Sequence, residues 1–251
     1  MKPAVIMIGA DKGGVGKTTI ARTMLDYLRA KSMPTRAFDA EWPRGTLKRF
    51  HPQSTEMVDI SQISDQMKII DSLVSSGSKV SVIDIRAGLL SPTLRAMEDS
   101  GFFDAVRAGE FNFGLFHVIG PSISSLEEID EVKPYTEGSN YFVVKNFINE
   151  TSFFDYDPAV KANYFQRTKD GIEINIPKLT EMAYEQVELA GVPFSTFIAN
   201  KTMDGRPGNY SLVLRGYVRT WLMQVANEFE KAGVLKRLAP SDSGSATGVA
   251  S

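Results

Sequence analysis

The sequence predicts an α/β fold, a mostly parallel, twisted sheet with helices on both faces. Three observations carry that prediction. Short apolar runs rich in β-branched residues recur along the 251 residues, and segments with helical spacing separate them. The runs are apolar at successive positions, as in strands buried on both faces. The first run leads into a glycine-rich loop and then a helical pattern, which is the order of a strand–loop–helix unit.

The elements follow in order. Residues 4–8 form the first strand, and residues 18–30 place Ala21, Met24, Leu25 and Leu28 on one helix face. Residues 35–39 and 80–85 read as the second and third strands, with a helical pattern over 60–74 between them. Helical patterns at 92–97 and 124–132 flank a strand at 115–119, and strands follow at 141–147 and 172–176. Two last helical patterns cover 179–190 and 210–231. There is no internal repeat. Residues 149–170 carry five aromatics, Phe153, Phe154, Tyr156, Tyr164 and Phe165, in no clean period. That segment reads as an insertion, either a partly exposed binding surface or a packed excursion over one sheet edge. Residues 239–251 are small and polar and read as a disordered tail, which leaves 1–238 as one domain.

Composition narrows the function classes. With 43% hydrophobic residues the chain can bury one large core. Its 28 basic and 30 acidic residues give a net charge of −2, so contact with nucleic acid or membrane has to come from a local patch. The chain has no cysteine, which excludes disulfides, zinc–thiolate sites and thiol catalysis within it and fits a reducing compartment. The amino terminus has no signal-peptide layout, and no apolar stretch approaches the ~20 residues needed to span a bilayer. These features lead us to expect a soluble cytoplasmic protein.

The chemistry is concentrated in Lys12-Gly13-Gly14-Val15-Gly16-Lys17-Thr18-Thr19. The glycines let the backbone wrap so that successive N–H groups point inward at an anion, and the helix that follows adds its positive end. Lys17 is placed to reach the β- and γ-phosphates, and the Thr18 hydroxyl to ligate Mg²⁺. An ordinary loop of this kind needs no cation at Lys12, which by itself reads as a solvated loop lysine.

The whole string resembles the deviant Walker A motif of the ParA/MinD family of dimerising P-loop ATPases. The resemblance implies a P-loop NTPase fold, ATP/ADP and Mg²⁺ as ligands, and an ATP-dependent homodimer. In that family the first lysine touches the nucleotide of the partner subunit. Carried over, Lys12 acts in trans and Lys17 in cis. Asp11 departs from the general loop pattern, which has glycine there; its carboxylate must point away from the phosphates or pair with a lysine.

Asp39-Ala40-Glu41 ends the second strand, and in open parallel sheets ligands sit at the carboxyl ends of strands. One of these acids is suited to holding the water shell of Mg²⁺, the other to orienting the attacking water. The family carries Asp-x-Asp here, and the resemblance makes Glu41, one methylene longer, the water-positioning group. The turn Trp42-Pro43-Arg44-Gly45 follows; Arg44 reads either as a phosphate-side arginine or as a solvated one. Asp84 at the end of the third strand resembles Walker B, which implies Mg²⁺ binding through water. Gly88 beyond it is a candidate hinge, and Arg86 either a charge stabiliser or an ion-pair partner. Asn146 ends the fifth strand, where the family reads the adenine edge with asparagine; the other reading is a turn residue. Ile174-Asn175-Ile176-Pro177 resembles a later family strand, whose loop, here Pro177, closes over the base. His51 and His117 are the only histidines and make no metal site; His117 reads as a core or edge residue.

Two function classes compete. One is a positioning or partition ATPase that hydrolyses ATP slowly without an adaptor or activating protein. The other is a metabolic or maturation ATPase of the same fold, which usually needs metal-binding cysteines or further catalytic domains. The first is favoured; an ATPase of conjugation or secretion shares its mechanism and stays open. Arg215, Arg219, Lys231, Lys236 and Arg237 read either as a nonspecific grip on DNA phosphates or as a solvated helix face. Residues 234–238 slightly resemble the amphipathic tail of MinD, but the stretch is too short to favour membrane binding.

Overall fold

Ala4, Ile6 and Ile8 face one side of the central strand and Val5 and Met7 the other, and all five are buried. A strand apolar on both sides has to be covered on both sides, and the architecture follows from that. The computed structural model describes residues 2–75, 79–148 and 152–239. Its elements begin with β1 (Ala4–Gly9), α1 (Lys17–Ala30), β2 (Thr35–Asp39), α2 (Thr46–Phe50), β3 (Thr55–Met57), α3 (Ile63–Ser75) and β4 (Val80–Asp84). They continue with α4 (Leu90–Asp99), α5 (Phe102–Arg107), β5 (Asn112–Ile119), α6 (Ile123–Val132), β6 (Asn140–Asn146), α7 (Pro158–Thr168) and β7 (Ile172–Ile176). The chain then runs through α8 (Glu181–Ala190), α9 (Phe194–Ile198), α10 (Leu212–Lys231) and α11 (Val234–Leu238).

The sheet has seven strands in the order β3-β2-β4-β1-β5-β6-β7, and every pairing is parallel. One apolar layer joins the Ile6 face to α1 and α8 to α11, and the other joins the Val5 face to α3 to α7. β1 lies between β4 and β5, so the chain leaves it toward opposite edges of the sheet. Such a switch point opens a crevice at the carboxyl ends of the strands.

All six strands expected from the sequence are present; 35–39 and 172–176 match their bounds, and the other four have ends shifted by one to three residues. The seventh, β3, is a three-residue edge strand paired only with β2. Residues 158–168 of the aromatic-rich segment form α7, the crossover from β6 to β7. Phe153, Phe154 and Tyr164 are buried there, whereas Tyr156 and Phe165 are exposed. Residues 149–151 and the expected tail beyond residue 239 lie outside the described residues.

The basic residues of the last helices fall into two groups, Arg215 and Arg219 one turn apart on α10, and Lys231, Lys236 and Arg237 at its end and on α11. Arg215 donates to the Ile198 carbonyl and Lys231 pairs with Glu228. These two lie sixteen residues apart on α10, roughly 24 Å along a helix. In α11, Val234 and Leu238 are buried in the core, so its apolar face is already occupied. Among the described residues no helix is long and apolar enough to cross a membrane. His117 is a fully buried core residue, its ring between the Tyr141 hydroxyl at 3.0 Å and Glu128 at 3.3 Å.

Candidate nucleotide-binding site

The loop between β1 and α1 takes a conformation that its glycines permit. Gly14 and Gly16 sit at φ +74° and +91°, where residues with side chains are strained. Gly16 also lacks room: an added Cβ would lie 2.1 Å from Nδ2 of Asn146. That amide donates to the Val15 carbonyl at 3.0 Å and so braces the loop from the end of β6. Gly13 and Gly14 are exposed, while Lys17 and Thr19 are buried at the start of α1.

Lys17 reaches back across the loop and donates to the Lys12 carbonyl at 3.1 Å. Burial pulls its pKa below the ordinary lysine value, opposed by Asp84, Glu128, Glu41 and Asp11. A buried ammonium whose main contact is a loop carbonyl is poised to exchange that contact for a phosphate oxygen. Lys12 is half-buried, and its amine donates 2.5 Å to Ser122 Oγ in the turn after β5.

The acids divide into two kinds. Asp39 and Asp84 are register partners at the ends of β2 and β4, and both are buried. Asp39 accepts the Glu41 N–H on one oxygen and the Lys48 N–H on the other, each at 2.9 Å. It therefore pins residues 40–45 and the first turn of α2 beside it. Asp84 bonds the Thr18 hydroxyl, while its Oδ1 has no hydrogen-bond partner among the described residues. Burial raises the Asp84 pKa to about 8, with Asp39 adding to the rise and Thr18 and Lys17 opposing it. An orphaned, buried carboxylate oxygen beside a threonine hydroxyl fits a hard divalent cation. Glu41 is half-buried at the mouth of the loop and accepts from the Thr46 hydroxyl. Arg44, Arg86 and Gly88 are exposed.

Asp11 points away from the phosphate loop. Its Oδ1 accepts the Leu90 N–H at 2.8 Å and its Oδ2 the Ser91 hydroxyl at 2.5 Å, so it caps α4 from outside that helix. The sequence restricts Asp11 to pointing away or pairing with a lysine, and the structure selects the first.

Asn146 and Pro177 meet in a cavity of about 150 Å³ next to the loop, together with Thr19, Tyr184 and Trp221. The Trp221 indole donates to the Pro177 carbonyl at 2.6 Å, and the Tyr184 hydroxyl lies 3.3 Å from that of Thr19. The cavity has the place and polarity for a base whose phosphates occupy the loop. Sequence reasoning missed Ser122, Thr46, Tyr184 and Trp221. Their partners lie in other segments, and only Thr46, directly after the Pro43-Arg44-Gly45 turn, has a local signal.

Fold and loop together define the class, a P-loop nucleotide-binding fold. No family profile matches the chain, and no curated protein matches it in sequence. Solved structures do match. MinD from Pyrococcus horikoshii OT3, complexed with Mg-ADP, aligns at TM-score 0.55 and 14% identity over 94% of this chain and 99% of its own. A ParA family ATPase from Chlorobium tepidum TLS aligns at 0.54 and 14%, covering 88% of this chain and 98% of its own. A plasmid partition protein from Borrelia burgdorferi B31, described as putative and bound to AMPPNP, aligns at 0.51 and 13%, covering 92% and 99%. At such identities the likeness establishes the fold, which is that of the ParA/MinD-like P-loop ATPases.

Proposed function

We propose that this chain is an ATP-dependent dimerising switch that hydrolyses ATP slowly and serves partition or intracellular positioning. One observation carries the reading: the loop, the buried Lys17 and the unpartnered Oδ1 of Asp84 converge at the carboxyl end of the sheet. Thr18 and Asp84 would hold Mg²⁺, which when bound neutralises phosphate charge. Lys17 leaves the Lys12 carbonyl to bind the β- and γ-phosphates, and the loop N–H groups orient them. Glu41 positions the water, while Asp39 acts behind it by fixing the loop on which Glu41 rides. Asn146 and the Pro177 loop select adenine over guanine. Lys12 leaves Ser122 to reach the nucleotide of a second subunit. The partition and Mg-ADP neighbours support the assignment to this class, and the partners are a second copy and an activating adaptor.

The test separates the two lysines. Lys17→Ala should weaken ATP binding at least about a hundredfold, because a buried charge on phosphate is lost. Lys12→Ala should keep ATP affinity and lose the dimer that light scattering detects with ATP and Mg²⁺ in the hydrolysis-blocked Glu41→Ala background. A Glu41→Ala protein that stays monomeric at high concentration with ATP bound would overturn the switch reading.

A further inference from the structure

At the opposite, amino-terminal end of the strands lies a second cavity of about 660 Å³. Its walls come from the end of α1, the turn into β2, the α2–β3 turn, α9 and the loop after α9. That volume falls in the range of sites for small organic ligands. Arg29, His51 and Lys201 line it, and no lining residue is a carboxylate. Neither Arg29 nor Lys201 makes an ion pair among the described residues. Carboxylates on neighbouring elements are engaged: Glu188 with Arg22 and Arg49, Asp204 with Arg206, and Asp26 with the Ser195 hydroxyl at 2.5 Å.

Two further residues shape the wall. His51 is more than nine-tenths buried, lines the cavity and leaves its Nε2 without a hydrogen-bond partner. That nitrogen is closed off from the cavity, so His51 offers the cavity its ring and not Nε2. Ser32, on the rim, holds φ +55° because it closes α1: its N–H reaches the Arg29 carbonyl and the Met33 N–H the Leu28 carbonyl, each at 3.0 Å, the pattern of a helix C-cap. The rest of the lining is largely apolar, with Met33, Phe50 and Met203 among it.

We propose that this cavity binds a small organic phosphate. Arg29 and Lys201 take the anionic head, and Met33 and Met203 receive the organic body. The cations surround a concavity rather than a track, which suits a small molecule better than an extended polyanion. The site is separate from the phosphate loop, since the two lie at opposite ends of α1.

Met33 and Met203 provide local reporters for the test. With carbon-13-labelled methionine methyl groups, assigned by substitution to leucine, phenyl phosphate is titrated into the full chain. Saturable shifts at Met33 and Met203, with Met7 unmoved, are expected. Arg29→Ala/Lys201→Ala should weaken the affinity at least about tenfold, because each lost cation removes a charge-assisted contact. Both side chains lack ion-pair partners, so the variant should fold, which circular dichroism checks. Benzyl alcohol, of the same shape without the charge, should not saturate the site. Still methyl signals with phenyl phosphate, or equal affinity in the double variant, would overturn the proposal. Saturation by benzyl alcohol at the same concentration would also overturn it, leaving only an apolar cavity.

Discussion

The two ends of the sheet collect opposite chemistry. At the carboxyl end, Asp84, Glu128 and Glu41 act on a buried lysine, with Asp39 beside Asp84; at the amino end, Arg29, His51 and Lys201 line a cavity with no acid in its wall. Within the first end the same contrast recurs on a smaller scale. Asp39 and Asp84 are register partners of one residue type, yet one is fully bonded and the other is left with an orphaned oxygen. The difference teaches how to separate groups that hold the fold from groups that await a ligand. A buried polar atom with all its partners in the chain maintains structure. A buried one without them is stabilised only when something else arrives.

The largest expected effect tests the bonded acid. Asp39→Ala strands two half-buried N–H groups, those of Glu41 and Lys48, and should lower stability by about 1–3 kcal/mol. Urea unfolding measures it. Asp84→Asn, the other side of the comparison, removes a buried carboxylate that the chain only half satisfies. It should leave stability unchanged or raise it by about 1 kcal/mol, and should remove the Mg²⁺ dependence of nucleotide binding. Equal losses from both variants would break the contrast between the two acids.

What the sequence reveals follows the same division. The phosphate loop is legible because its donors come from eight consecutive residues between a strand and a helix. Asp11 is not, because its partners on α4 lie about eighty positions away. The amino-end cavity is invisible in the sequence, since Arg29, His51 and Lys201 come from three distant segments with no shared spacing. Among the elements, α2, α5 and α9 escape detection because five or six residues cannot show a helical period. α7 was within reach: Asp157 before Pro158 is a helix-start signal, and Asp157 does accept the N–H groups of Ala159 and Val160. The irregular aromatics drew attention away from it.

A smaller effect probes the amino end. Burial, with Arg22 and Arg29 adding to it, lowers the His51 pKa from 6.5 to about 3. Between those two values the unfolded chain takes up a proton that the native chain does not, so stability is full above pH 6.5 and is lost as pH falls toward 3. His51→Gln should flatten the acid limb of the stability–pH curve in that window while leaving neutral stability close to wild type. An unchanged acid slope would mean that neither burial nor the nearby arginines hold the His51 pKa below its ordinary value.

The smallest expected effect concerns Glu41, which sits between the two kinds of group. Its carboxylate is half-buried and accepts from Thr46, in the first turn of α2 that Asp39 pins. That turn is thus built to hold a side chain of glutamate length. Glu41→Asp retracts the carboxylate by one methylene, and aspartate cannot keep both the Thr46 contact and the same reach toward the site. Because water positioning acts in the transition state, turnover should fall by about fivefold while ATP affinity hardly changes. Thr46→Ala should reduce turnover in the same direction, since it frees the glutamate without shortening it. Single-turnover hydrolysis beside equilibrium ATP binding separates the two quantities. If Glu41→Asp weakened ATP binding as much as turnover, the residue would be a ligand of the ground state. If Thr46→Ala left turnover untouched, the hydrogen bond would be part of the fold alone, and Glu41 would belong with Asp39 rather than with Asp84.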